Sequence, residues 1–143
     1  MEQPLVQTQC GWVSGRAHED VHSFLGIPYA KPPVGPLRFL PPEPPAPWQG
    51  TRRADAYGDG PIQYAETGFT TIPAYAQDRT LEPPQHFSED CLTLNIWRPA
   101  HSNRPLPVLF WIYGGAYAMG NAAMALYSGE AMAREGAVVV SAN

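Results

Sequence analysis

Six consecutive apolar residues, Val108-Leu109-Phe110-Trp111-Ile112-Tyr113, run straight into Gly114-Gly115. The run is far short of the ~18–20 residues that cross a bilayer. It also lacks the alternation of a strand with one wet face. It therefore reads as a strand buried on both sides, in a sheet covered by helices. Ala137-Val138-Val139-Val140 is a second run of the same kind. Between the two lies Ser128-Gly129-Glu130-Ala131-Met132-Ala133-Arg134-Glu135-Gly136. Ser128 suits an N-cap, Glu130 in the first turn suits the helix dipole, and Gly136 suits a C-terminal stop. Residues 108–140 therefore predict strand, glycine-rich loop, short helix, strand. That is one βαβ crossover with parallel strands, which places the chain in the α/β class.

Upstream the pattern differs. Residues 5–8, 11–13 and 21–27 read as short strands, separated by turn signals at Ser14-Gly15 and His18-Glu19-Asp20. Leu92-Thr93-Leu94-Asn95-Ile96-Trp97 alternates and is stopped by Pro99. Residues 31–87 are punctuated by proline and show little periodicity. Apolar residues make up 44% of the chain, enough for a packed core, but charged residues only 15%, low for a small domain that must solvate its own surface. A formal charge of −4 argues against a nucleic-acid partner, which needs a basic stripe. No segment suits a membrane span, and residues 1–15 hold no positive stretch followed by an apolar one, so no secretory leader is expected and a cytoplasmic location is. Cys10 and Cys91 are too few for a disulfide framework and read as reduced thiols. The chain stops directly after a strand, so it is expected to be the front part of a longer protein.

The glycines after the apolar run admit two readings. A tight turn that merely lets strand and helix pack is the commoner use of such residues. Alternatively, the missing side chains let main-chain amides turn toward one point, a nest that binds an anion. In acyl transfer that anion is the oxygen of a tetrahedral intermediate.

Four stretches tip the balance. Trp111-Ile112-Tyr113-Gly114-Gly115-Ala116-Tyr117-Ala118-Met119-Gly120 resembles the HGGG-type oxyanion-hole loop of α/β-hydrolase esterases and lipases. Residues 24–39, from Phe24-Leu25-Gly26-Ile27-Pro28-Tyr29 to Pro36-Leu37-Arg38-Phe39, resemble the N-terminal segment of type-B carboxylesterases, the family that includes the cholinesterases. Pro45-Ala46-Pro47-Trp48 continues it, and Ser88-Glu89-Asp90-Cys91-Leu92-Thr93-Leu94-Asn95-Ile96-Trp97 is similar to the same family's second signature. The resemblance implies the N-terminal part of an α/β-hydrolase fold, a mixed, mostly parallel sheet with antiparallel N-terminal strands, over residues 1–143. It implies a serine esterase acting on a small-molecule carboxylic ester, with no metal or organic cofactor. The amides of Gly115 and Ala116 would hold the oxyanion, with Gly114 allowing the turn. Two departures are mild: Ala116 replaces the third glycine but keeps its amide, and Tyr113 stands where histidine is usual. Tyr117 and Met119 either line an acyl or alcohol pocket or pack in the core. Arg38 and Glu89 would form a structural ion pair, while Asp90 caps nearby amides.

The same resemblance exposes what these residues lack. An esterase of this kind needs a serine on a G-x-S-x-G elbow, followed by an acid and a histidine. None of Ser14, Ser23, Ser88, Ser102, Ser128 and Ser141 has that spacing, and His18, His22, His86 and His101 lie too early in the chain. The 143-residue polypeptide alone is therefore expected not to hydrolyse esters. A catalytically silent binding or adhesion module of the same family, or a truncated remnant, remains the alternative. Secreted relatives bridge the Cys91 position to a cysteine in a segment resembling residues 57–63, which here has none. No tryptophan lies between Trp48 and Trp97, so a choline ester is not the expected substrate.

Two other patterns are decoys. His18-Glu19-Asp20-Val21-His22 fits the H-E-x-x-H zinc pattern, but that chemistry needs a helix. On an extended chain the two histidines would stand roughly 13 Å apart, too far for one zinc ion, and a turn between strands is expected. The prolines of residues 32–47 suit a polyproline II ligand, but Leu37, Phe39 and Trp48 among them favour a segment folded against the body.

Overall fold

The computed structural model describes residues 3–63 and 86–143, and the chain begins with two hairpins. β1 (Leu5–Thr8) pairs antiparallel with β2 (Gly11–Ser14). β5 (Thr51–Arg53) then joins β2 in parallel, giving a small sheet in the order β1-β2-β5. The second hairpin joins β3 (Arg16–His18) to β4 (Val21–Pro28) through a tip at Glu19-Asp20, with Glu19 at φ 51°. His18 pairs with Val21, so the H-E-x-x-H residues form a strand-turn-strand and not a helix.

The main sheet continues with β6 (Thr93–Pro99), β7 (Val108–Trp111) and β8 (Val138–Ala142), in the order β3-β4-β6-β8-β7. The first three pairings are antiparallel, and β7 and β8 are parallel, with Val108 opposite Val138. The apolar runs thus produce the crossover they predict. Its helix, α1, is one short piece, Glu130–Arg134. Ser128 is not its N-cap. Gly129 occupies that position, because a side chain there would drive into Val139 and Trp97 at 2.6–2.8 Å. The Ser128 hydroxyl accepts only a long 3.4 Å bond from the Glu130 amide. Gly136 stops the helix as expected. At φ 96° it donates to the Ala133 carbonyl while Ala137 donates to Met132, the reciprocal pair of a Schellman ending.

Strand alternation sorts the core into two clusters. Val21, Leu25, Trp97 and Val139 meet Ala133 of α1 on one face of the main sheet. Phe24 and Ile27 meet Val13 and Ala54 on the other, with Trp48, Leu94 and Ile96 packed against them. β4 reaches both faces across a bulge between Phe24 and Ile27. Gly26, at φ 67°, makes the bulge, and the Leu25 amide leaves the ladder to donate to Ala54. The Gly26 amide, detached from β6's main chain, donates instead to Asn95 Oδ1 at 3.0 Å.

β8 is buried at Val139 and Ser141, whereas every residue of β7 is exposed to solvent within these 143 residues, Val108 by 66% and Phe110 by 55%. The reason is position: β7 is the sheet edge, and α1 packs over β4, β6 and β8.

The proline-rich segment folds onto the body, as its aromatics suggest. Trp48 donates its ring N–H to the Trp12 carbonyl and its amide to Cys10, and Lys31 donates its amide to Glu43. Not every apolar residue there is buried, however. Phe39 is 95% exposed, carried outward by a positive φ of 60°, and the Arg38 guanidinium lies over its ring. The stretch from 64 to 85, which includes part of the weakly periodic region, lies outside the described residues.

Candidate functional site

β7 ends at Trp111 and the chain enters the glycine loop beside Tyr113, which stacks on Tyr127 at 6.2 Å between ring centroids. Tyr127 in turn packs on Trp111 at 5.7 Å. This aromatic stack fixes the direction in which the loop departs. The Ala118 and Met119 amides both donate back to the Gly115 carbonyl, at 2.9 and 3.0 Å, closing a tight turn. Ala116 and Tyr117 accomplish it with left-handed backbones, φ 52° and 59°.

The glycines divide the work differently from the sequence expectation. Gly114 does not make the turn: its φ is not positive, and a side chain there would meet nothing within 4 Å. Gly115 is the residue for which no alternative fits, since a Cβ would lie 1.8 Å from the Met119 carbonyl oxygen. Gly120 closes the loop at φ 99° with the Tyr113 ring 2.9 Å from where its Cβ would be.

Residues 114–120 line an open cleft of about 820 Å³ together with Tyr29, Gln63, Leu94, Phe110 and Tyr113. The amides of Gly115 and Ala116 donate to no protein group among the described residues. Two successive amides without partners among the described residues, on a largely apolar wall, are an arrangement that in general favours negative charge. Met119 is half-buried in the wall. Tyr117 is fully exposed at the rim and not part of the core. No serine or histidine is among the described residues lining the cleft.

Beneath the wall, burial raises the pKa of Cys91, with Asp90 adding to it, so this thiol stays protonated and is no nucleophile. Burial likewise raises Tyr113 and Tyr29, each with Cys91 adding, so both phenols are neutral hydrogen-bonding groups. The Tyr29 hydroxyl donates to the Asn143 carbonyl. Cys10 and Cys91 are both free.

Sequence reasoning missed the residues that hold the far limb of the loop. Asn143 Oδ1 accepts from the Ala122 amide at 2.7 Å. Asn95 Nδ2 donates to the Ala122 carbonyl at 3.2 Å, and Ser141 Oγ donates to the same oxygen. Gln63 bonds Gly120 through both its amide and its carbonyl. The signal was present only as polar residues in apolar company: Asn95 is 3% and Ser141 0% exposed inside strands. A buried amide must be satisfied, and here it is satisfied by the loop.

The remaining candidates sit away from the cleft. Arg38 pairs with Glu89 at 2.5 Å, both half-exposed, as the resemblance implied. Among the described residues the Asp90 carboxylate caps no amide; its own amide donates to Ser88 Oγ. His18 contacts Glu130 at 2.9 Å, and no group of three metal-ligating side chains gathers among the described residues. No helix among them is long and apolar enough to cross a membrane.

Residues 2–143 match a family model described as the carboxylesterase family. Para-nitrobenzyl esterase of Bacillus subtilis (strain 168) is 39% identical, over 98% of this chain and 27% of that protein. Acetylcholinesterase of Gallus gallus is 41% identical, over 98% of this chain and 19% of its own length. Fumonisin B1 esterase of Sphingopyxis macrogoltabida is 41% identical, over 95% and 23%. Among solved structures, a PNB esterase matches with a TM-score of 0.83 at 39% identity, covering 97% of this chain and 27% of that one. Carboxylesterase EST55 of Geobacillus stearothermophilus matches with a TM-score of 0.80 at 41% identity, covering 97% and 26%. The chain thus spans between 19% and 27% of the length of these relatives.

Proposed function

This chain belongs to the carboxylesterase family, and on that footing we propose that it supplies the oxyanion-binding loop of a serine esterase acting on small carboxylic esters. The observation that carries the reading is the pair of amides at Gly115 and Ala116 on the cleft wall, which have no partner among the described residues. A serine from residues beyond 143 attacks the ester carbonyl while a histidine takes its proton. The carbonyl oxygen gains charge and moves toward the two amides, with a third donor from the residue after the serine. Because the loop is already closed by its own hydrogen bonds, little reorganisation is needed as charge develops. Collapse of the intermediate expels the alcohol and leaves an acyl-serine, which water hydrolyses. The apolar wall with Met119, and Tyr117 at the rim, borders the acyl or alcohol group. No metal or organic cofactor takes part. The free thiols of Cys10 and Cys91 support a reducing, cytoplasmic setting.

The test compares the full-length protein with the 143-residue polypeptide. The full-length protein is expected to hydrolyse p-nitrophenyl acetate and to be labelled by a serine-reactive phosphonate at one serine after residue 143. The short polypeptide is expected to do neither. A full-length protein without hydrolysis, or a short one with it, overturns the reading.

A further inference from the structure

We infer that Gln63 is a positioning residue for the oxyanion amides, an inference that rests on the esterase reading above. Its carboxamide presents an acceptor and a donor side by side. Oε1 accepts from the Gly120 amide at 2.9 Å, and Nε2 donates to the Gly120 carbonyl at 3.0 Å. A residue bonded through both its amide and its carbonyl is held as it would be in an antiparallel ladder, but here a side chain stands in for the neighbouring strand. Nε2 also donates to the Pro61 carbonyl at 3.1 Å, which fixes the carboxamide plane.

Gly120 is where this grip has most effect. Its left-handed backbone folds it back onto the start of the loop, against the Tyr113 ring and the Gly114 carbonyl. The residue before it, Met119, donates its amide to Gly115, and its carbonyl crowds the Gly115 Cα. One peptide unit therefore separates the clamped residue from the contact that sets Gly115. A shift of Gly120 passes through Met119 into the Gly115–Ala116 amides. Gln63 itself lines the cleft but reaches the reacting oxygen only through this relay.

The experiment measures burst acylation by p-nitrophenyl acetate in the full-length protein. Gln63→Met keeps the length and removes all three hydrogen bonds, the two to Gly120 and the one to Pro61. Misplacing a reacting group by about 1 Å can cost around 100-fold in rate, so the acylation rate constant is expected to fall about 30–100-fold. Substrate affinity before acylation is expected to change less than about twofold, the signature of an interaction realised in the transition state. Gln63→Glu is isosteric, keeps an acceptor for the Gly120 amide and loses the donor, and is expected to lose about tenfold. It guards against a misfolded methionine variant. If the parent protein gives no burst, the esterase reading fails and takes this one with it. If the parent is active and both variants acylate within about threefold of it, or lose affinity in step with rate, Gln63 is only a structural tie and this inference alone falls.

Discussion

At Gly115 the whole loop depends on a missing side chain. A methyl group there would overlap the Met119 carbonyl, so Gly115→Ala must displace the amide it carries. Losing one oxyanion donor costs about 100–1,000-fold in kcat, and the full-length Gly115→Ala variant should lose on that order in p-nitrophenyl acetate turnover. Within the 143-residue polypeptide Gly114→Ala meets no described atom within 4 Å and should leave that polypeptide's thermal unfolding midpoint unchanged; a marked drop would contradict the assignment of the turn to residues 115–117. His22 offers a second residue-scale test. Burial, with Arg98 and His101 adding, lowers its pKa from 6.5. The folded chain then holds fewer protons than the unfolded one below that pH. The stability this contributes is complete above 6.5 and is lost as pH falls through the lower, folded value. His22→Gln should flatten that part of a stability-against-pH curve, and an unchanged slope would refute the assignment. Which glycine does which task was not legible in the sequence, because it depends on the Met119 carbonyl approaching Gly115.

Among the elements, α1 shows how little of the crossover is fixed by local preference. Five residues are too few to be stable as an isolated helix. Its Schellman ending and its seat on Trp97 and Val139 hold it. Arg134 adds contacts to Glu19, Asp20 and Glu130, but these solvent-screened pairs contribute little. Gly136→Ala, with no clash but a left-handed backbone, should cost about 1–2 kcal/mol, measurable as a lower urea midpoint. No change would mean the helix end is not set by Gly136. Strands β4, β6 and β8 were legible because alternation and apolar runs report burial, and β7 because a continuous apolar run favours a strand even where, as here, its side chains are exposed. The helix cap was not, since close approach to Trp97 selects Gly129 over Ser128. Nor were Gln63, Asn95 and Asn143 as loop ties, because their partners lie 57, 27 and 21 residues away in sequence. An oxyanion role for the glycine loop was suggested in the sequence chiefly by resemblance, since glycines after a strand serve packing turns equally well.

For the molecule as a whole, the main sheet leaves its edge strand β7 exposed and apolar, with Ile112 beyond it 78% exposed. An exposed apolar edge is a template for pairing with other chains. The 143-residue polypeptide on its own should therefore self-associate in sedimentation velocity, and a clean monomer at micromolar concentration would contradict that. The same strand leads into the loop, so the exposed edge and the cleft form one continuous surface. Whether the Gly115 and Ala116 amides receive the oxyanion is decided by a crystal structure of the full-length protein phosphonylated on its serine. A phosphonyl oxygen is expected about 2.7–3.1 Å from both amide nitrogens. An oxygen turned away from the loop, with those two amides bonded elsewhere, would contradict it.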